Sequence, residues 1–305
     1  MEHRFRPGRT LRLLAAALAA VLLWLPFFSF VEETAQVFWP RRSPLPADAT
    51  VGLPFAVETV RFPAEDGVIL EGWLAPGRAG GHPIILCHGS GGNRTEMVPY
   101  AAFLAEAGYP LLLLDFRAHG GSGGQLMSLG YRETWDVAAA VRFLQTRPEV
   151  DARQVGALGI SLGAAAVVVA AAAQPELKAV VADSTYARYT DVMQRFFHPD
   201  KRLGLPMDGP AIGLTRLLFG ENAVRFAPVD AAPRVSPRAL FIIHGKHDNG
   251  NTTVEDARAV YAAAGEPKEF WLVPDAGHVQ ALSVAGQEYR RRVVGFFRQY
   301  LDGLP

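Results

Sequence analysis

Residues 155–173 read VGALGISLGAAAVVVAAAA, and this stretch decides the fold. The apolar run 155–160 predicts a buried strand, and the alanine-rich run 164–173 predicts a helix. Between them lies Gly159-Ile160-Ser161-Leu162-Gly163, a G-x-S-x-G pentapeptide in the strand–turn–helix setting that an exposed serine nucleophile requires. So sharp a reversal strains the serine backbone, and the flanking glycines leave room for the turn and for close helix–strand packing. The serine oxygen is then expected at the tip of a sheet, near the positive end of the following helix. Ser161 is the candidate nucleophile.

Outward from this unit the chain alternates between short apolar runs and helical periodicity. Strands are expected at 57–62 and 68–75, joined by a turn at Asp66-Gly67, and then at 84–87, 111–114, 179–182, 239–243 and 269–273. Helices are expected at 95–107, with Asn93 or Thr95 as cap, and at 133–146, 254–264 and 286–301. A hairpin followed by β-α-β-α units implies an α/β fold with a mostly parallel sheet, helices on both faces and an antiparallel start. Sites in such sheets collect at the carboxyl ends of the strands.

A serine hydroxyl needs a base, and the base needs a carboxylate to fix its tautomer. Elbow enzymes supply them in the order serine, acid, histidine. The strand 239–243 runs into His244-Gly245-Lys246-His247-Asp248, and the strand 269–273 is followed by Pro274-Asp275-Ala276-Gly277-His278. Asp248 is the expected acid and His278 the expected base. Asp183, also just past a strand, is an alternative acid, and Asp275 reads as a turn former. His244 and His247 resemble a fragment of a metal site without a third ligand set. One oxyanion donor is expected at the backbone N–H of Leu162. The second is expected from the glycine-rich run His88-Gly89-Ser90-Gly91-Gly92-Asn93, at Ser90 or alternatively Gly91. That run lacks the lysine and spacing of a phosphate loop.

In these motifs, together with Asp115-Phe116-Arg117-Ala118-His119-Gly120-Gly121-Ser122-Gly123-Gly124, the chain resembles α/β-hydrolase superfamily serine hydrolases from about Val57 to the C-terminus. It is similar in particular to the membrane-anchored Bem46-like hydrolases. The resemblance implies an eight-stranded sheet and a short cap insertion. It also implies a Ser161–Asp248–His278 triad with neither metal nor organic cofactor. Asp115 and Arg117 read as a charged pair bracing the site loops. After Asp248 the chain reads Asn249-Gly250-Asn251-Thr252-Thr253, where many relatives carry an apolar residue and a proline.

Thirty basic and thirty acidic residues leave a formal net charge of zero, and no basic stripe points to nucleic acid. The single cysteine, Cys87, lies in an apolar run and reads as a core residue. At the N-terminus, Arg4, Arg6, Arg9 and Arg12 precede an uncharged apolar stretch at 13–31. As a helix it would run roughly 28 Å, close to a hydrocarbon core. Neither a cleaved signal peptide nor a buried soluble helix fits as well as an uncleaved signal anchor. The expected organisation is a basic segment 1–12, a transmembrane anchor 13–31, a Pro-rich tether 32–54, and a hydrolase domain 55–305 with its cap at about 185–237. The arginines place the domain on the non-cytoplasmic side. Apolar cap residues, among them Tyr186, Tyr189, Phe196, Phe197, Leu203, Leu205, Ile212, Leu217, Leu218 and Phe219, either line an acyl pocket or pack the cap. The expected activity is hydrolysis of acyl esters or thioesters, lipophilic ones included. A peptidase with the same residues and a non-catalytic binding protein are the rivals.

Overall fold

The structure, a computed structural model, describes residues 8–46, 48–51, 53–197 and 207–304. Eight strands form one sheet: β1 (Glu58–Pro63), β2 (Ile69–Ala75), β3 (Ile84–Cys87), β4 (Leu111–Asp115), β5 (Val155–Ile160), β6 (Leu177–Asp183), β7 (Ala239–Gly245) and β8 (Lys268–Val273). Their order is β1-β2-β4-β3-β5-β6-β7-β8. The first two neighbours pair antiparallel and the remaining five parallel. The β1–β2 hairpin closes where expected: Ala64 N donates to Val68 O at 2.8 Å, and Gly67 sits at φ 82°.

The helices are α1 (Arg9–Phe38), α2 (Val98–Glu106), α3 (Glu133–Gln145), α4 (Leu162–Ala173), α5 (Tyr189–Phe197), α6 (Asp208–Phe219), α7 (Glu221–Val224), α8 (Pro228–Ala231), α9 (Val254–Ala263), α10 (Ala281–Ala285) and α11 (Gln287–Tyr300). The period of two in each strand divides the core. On β4, Leu112 and Leu114 join the cluster with α3 and α4, while Leu111 and Leu113 join the opposite cluster with α2 and α11. These four leucines are wholly buried, each stabilising the fold by roughly 1.5–3 kcal/mol. The helix expected at 95–107 is preceded by a tighter turn at Arg94–Met97, because Pro99 enters the first turn of α2. Asn93 is its cap, accepting from Thr95 N at 2.8 Å. The cap lies between β6 and β7 and contains α5 to α8.

The N-terminal expectations need correction. Among the described residues, no helix is long and apolar enough to cross a membrane, so the transmembrane helix expected over 13–31 is not carried by the structure. That stretch is one part of α1, which runs on through the first seven residues assigned to the tether. The end of α1 and the segment after it pack on the domain. Phe30 meets Phe197 with ring centroids 6.0 Å apart, and buried Phe38 meets Phe219 at 5.9 Å. Phe38 O accepts from Met127 N at 3.0 Å, Arg42 donates to Gly124 O at 2.6 Å, and Asn93 Nδ2 donates to Ser43 O at 3.1 Å. The first half of the expected tether is therefore fastened to the domain. Arg4 and Arg6 lie outside the described residues.

Candidate active site

The elbow forms as its residues dictate. Ser161 sits at φ 51°, ψ −114°, a conformation costing on the order of 1–3 kcal/mol for a residue with a Cβ. Its neighbours hold it there: Ser161 N donates to Asp183 O at 2.9 Å and Ser161 O accepts from Ala165 N at 3.2 Å. The glycines allow the close approach. A Cβ on Gly159 would stand 2.3 Å from Gly163 O, and one on Gly163 would stand 2.3 Å from Cys87 O.

The residues expected to serve Ser161 converge on it from two further strand ends. Ser161 Oγ lies 2.9 Å from His278 Nε2, and His278 Nδ1 lies 2.8 Å from Asp248 Oδ2. The geometry fixes the directions of donation: Nδ1–H to the carboxylate, and the serine hydroxyl to Nε2. Asp248 is almost fully buried. Burial raises its carboxyl, but hydrogen bonds from His278 and Thr252 outweigh it and hold the group below the usual carboxylate range. Ser161 and His278 open onto a cavity of about 710 Å³ that Ser90, Leu162, Leu129, Tyr186 and Phe196 also line.

Leu162 opens α4, so its N–H has no intrahelical acceptor. In the loop after β3, Gly89 N donates to Glu96 Oε2 at 2.9 Å and Gly91 N to His119 Nε2 at 3.1 Å. The Gly91 amide is thereby taken. Ser90 N has no acceptor among the described residues, and the Ser90 hydroxyl donates to Met127 Sδ at 3.3 Å. Two buried histidines set this loop. His88 donates from Nδ1 to Gly89 O at 2.6 Å and accepts from Phe116 N at 3.1 Å. His119 donates from Nδ1 to Arg117 O at 2.8 Å. Each is a neutral ring using one donor and one acceptor. Burial and the neighbouring His119 lower His88 to about 4, and burial also lowers His119.

The other expected residues fall into supporting places. Asp183 backs the site: its carboxylate accepts from Tyr289 OH and Ser184 Oγ, each at 3.0 Å, and burial raises it to about 6. His244 and His247 do not come together. His244 is buried with Nε2 3.4 Å from Asp248 Oδ2, whereas His247 is exposed, 3.7 Å from Asp275. Among the described residues, no group of three or more His, Cys, Asp or Glu side chains could hold a metal ion. Asp115 and Arg117 do not pair with each other. Asp115 Oδ2 takes Arg94 Nη2 at 2.7 Å, and Arg117 Nη2 takes Asp136 Oδ1 at 2.6 Å while its Nη1 reaches Asp66. Each carboxylate thus meets an arginine from another element, and both bridges lie under the site loops. Of the cap residues, Tyr186 and Phe196 line the cavity, Phe219 packs on Phe38, and Leu217 is exposed. Leu203 and Leu205 lie outside the described residues.

Two residues at the site escape sequence reading. Thr252 Oγ1 donates to Asp248 Oδ2 at 2.7 Å and lies 3.0 Å from His278 Nδ1. Its only sequence signal is a hydroxyl residue in the loop after the acid. Glu96 lines the cavity beside Gly89 and Ser161, and burial raises its carboxyl. Nothing in the sequence brings residue 96 to the nucleophile, since the approach depends on how the turn after β3 folds back.

The chain is similar to known proteins over most of its length. The chain is 29% identical over 257 residues to the uncharacterized protein YfhR of Escherichia coli strain K12, covering 82% of this chain and 83% of that one. The esterase Pf2001 of Pyrococcus furiosus superposes with a TM-score of 0.72 at 27% identity, over 86% of this chain and 99% of that structure. The α/β-hydrolase GrgF of Penicillium superposes with a TM-score of 0.68 at 18% identity, over 81% and 99%, a likeness of fold. Residues 32–200, more than half of the chain, match the family described as X-Pro dipeptidyl-peptidase (S15 family). The chain therefore belongs to the X-Pro dipeptidyl-peptidase (S15) family and is a hydrolase of the α/β fold.

Proposed function

We propose that this protein is a serine hydrolase that cleaves carboxylic ester or thioester bonds through an acyl-enzyme. The observation that carries the reading is the unbroken run of hydrogen bonds from Ser161 Oγ through His278 to Asp248, at 2.9 and 2.8 Å. Ser161 Oγ attacks the acyl carbon while His278 Nε2 takes its proton, and Asp248 stabilises the imidazolium that forms. The amides of Leu162 and Ser90 hold the developing oxyanion. His278 returns the proton to the departing alcohol or thiol. A water then attacks the acyl carbon as His278 takes its proton, and His278 returns that proton to Ser161 Oγ as the acid is released. The likeness to the Pyrococcus furiosus esterase, at 27% identity, supports an ester substrate.

Ser161→Ala is expected to abolish ester turnover and covalent labelling by a fluorophosphonate. Labelling that persists in this variant, or turnover within tenfold of the parent, would overturn the assignment.

One observation favours a second reading, cleavage of a peptide or amide. Glu96 places a carboxylate beside the nucleophile, where it could pair with an amine close to the scissile bond, and the family match names a peptidase. A panel of esters, thioesters and dipeptide amides run on one preparation separates the two.

A further inference from the structure

Beside the main cavity lies a second one of about 290 Å³, and part of its wall is the N-terminal helix. The two share Ser90, Leu129 and Phe196. The second is completed by Met127 from the loop after β4, Phe197 from the cap, and Val37 from the last turns of α1. Glu33 and Gln36 of α1 bring the polar groups. This α1 segment is held in place by the tilted contact of Phe30 with Phe197, by the burial of Phe38, and by the bond from Met127 N to Phe38 O. The helix end is therefore a fixed wall.

We infer that this chamber is a subsite for one apolar limb of the substrate, and that the end of α1 sets how long that limb can be. The inference rests on the serine hydrolase reading above. Its logic is positional. Ser90 is the residue whose amide is assigned to the oxyanion, and it lines both cavities. A substrate with its carbonyl carbon at Ser161 Oγ and its oxygen toward Ser90 has a limb that runs past Ser90, where Val37, Met127, Leu129, Phe196 and Phe197 offer an apolar lining. The volume equals that of about ten waters, which suits an unbranched chain of medium length and not a bulky ring system. Each methylene lodged there contributes about 0.8 kcal/mol. α1 thereby becomes part of the specificity machinery.

The experiment measures kcat/KM on 4-nitrophenyl esters from acetate to dodecanoate, for the parent and for Gln36→Trp, which grows an indole into the chamber from an exposed helix position. In the parent, kcat/KM is expected to climb from acetate to a medium-chain optimum. In Gln36→Trp the ratio of octanoate to acetate kcat/KM is expected to fall roughly tenfold, the discrimination carried by about two buried methylenes. Val37→Ala, which enlarges the chamber and leaves the Phe30–Phe197 contact in place, is expected to move the optimum to longer esters. An octanoate-to-acetate ratio that is the same in all three proteins overturns the inference. Calorimetric binding of octanoate to the Ser161→Ala protein, with and without Gln36→Trp, reads the chamber without turnover. Binding weakened by the indole supports the subsite, and binding indifferent to it does not. Failure of the hydrolase reading looks different: no ester is turned over and no fluorophosphonate is taken up, whatever stands at position 36.

Discussion

His119 Nε2 accepts the N–H of Gly91 across 3.1 Å, so a histidine from the loop after β4 fixes the backbone of the loop after β3. Gly91 sits at φ 75°, and Ser90 beside it presents the amide assigned to the oxyanion. The bond requires a neutral ring, because a protonated Nε2 is a donor and would face another donor. His88, whose ring centroid is 5.0 Å from that of His119, is under the same constraint.

A pH dependence of stability follows. Burial lowers His88 from 6.5 to about 4 and lowers His119 as well. Between the unfolded and folded values the native state binds fewer protons than the unfolded chain. The contribution to stability is therefore complete above about pH 6.5 and is lost as pH falls toward about 4. Asp136 and Asp183, raised by burial to about 7 and about 6, act in the opposite sense and lose their contribution as pH rises through those values. A comparison of variants separates the two. His119→Gln keeps an acceptor for Gly91 N–H and removes one titration. Between about pH 7 and about pH 5 it is expected to lose less stability in urea melts than the parent. Parallel pH profiles would show that the histidines do not carry this dependence.

Thr252 is the second prediction. Its hydroxyl hydrogen-bonds the same Asp248 oxygen that takes His278 Nδ1–H, at 2.7 and 2.8 Å. Asp248 Oδ1 is buried and has no hydrogen-bond partner among the described residues, so Oδ2 carries the carboxylate's contacts. Thr252→Val keeps the shape and removes a hydrogen bond to a charged group, worth roughly 1.5–3 kcal/mol. The expected result is a kcat lower by about tenfold to a hundredfold with KM little changed, and a steeper loss of kcat as pH falls, because the carboxylate that favours the imidazolium is less firmly held. Thr252→Ser should restore most of the rate. A rise in KM at constant kcat would instead make Thr252 a substrate contact.

The sequence declares what depends on neighbours along the chain, and hides what depends on folding back. Alternation in 111–114 places Leu111 and Leu113 on one face of the sheet and Leu112 and Leu114 on the other, as the structure has them. Ser161, Asp248 and His278 were legible because each lies within a few residues of the end of a strand, and parallel strands deliver their carboxyl ends to one place. Arg94 was not legible as the partner of Asp115, since the two are joined by the fold of the turn after β3, and Arg117 offered a nearer candidate in sequence. The tether reading of 32–54 rested on local composition, which carries no sign that Phe30 meets Phe197 and Phe38 meets Phe219.

The third prediction concerns Glu96, which decides between the two substrate readings. Its Oε2 accepts from Gly89 N at 2.9 Å, and a Cβ on Gly89 would stand 3.5 Å from that oxygen and 3.6 Å from Ser161 Cβ. The carboxylate is thus both a support of the loop after β3 and a negative charge within reach of a substrate bound at Ser161. Glu96→Gln keeps an acceptor for Gly89 N–H and removes the charge. If the protein acts on neutral esters, the variant is expected to lower kcat/KM on 4-nitrophenyl butanoate by no more than about threefold, the loss of a fraction of one hydrogen bond. If the substrate carries an amine that pairs with Glu96, kcat/KM on a dipeptide amide with a free N-terminus is expected to fall about a hundredfold, mostly through KM, because a desolvated charge pair is lost. The parent's preference would rise with pH while the carboxyl ionises, since burial raises its pKa and the charged form is the one that binds the amine. Equal, small effects on both substrates would leave Glu96 with the loop alone and remove the observation that favours the peptidase reading.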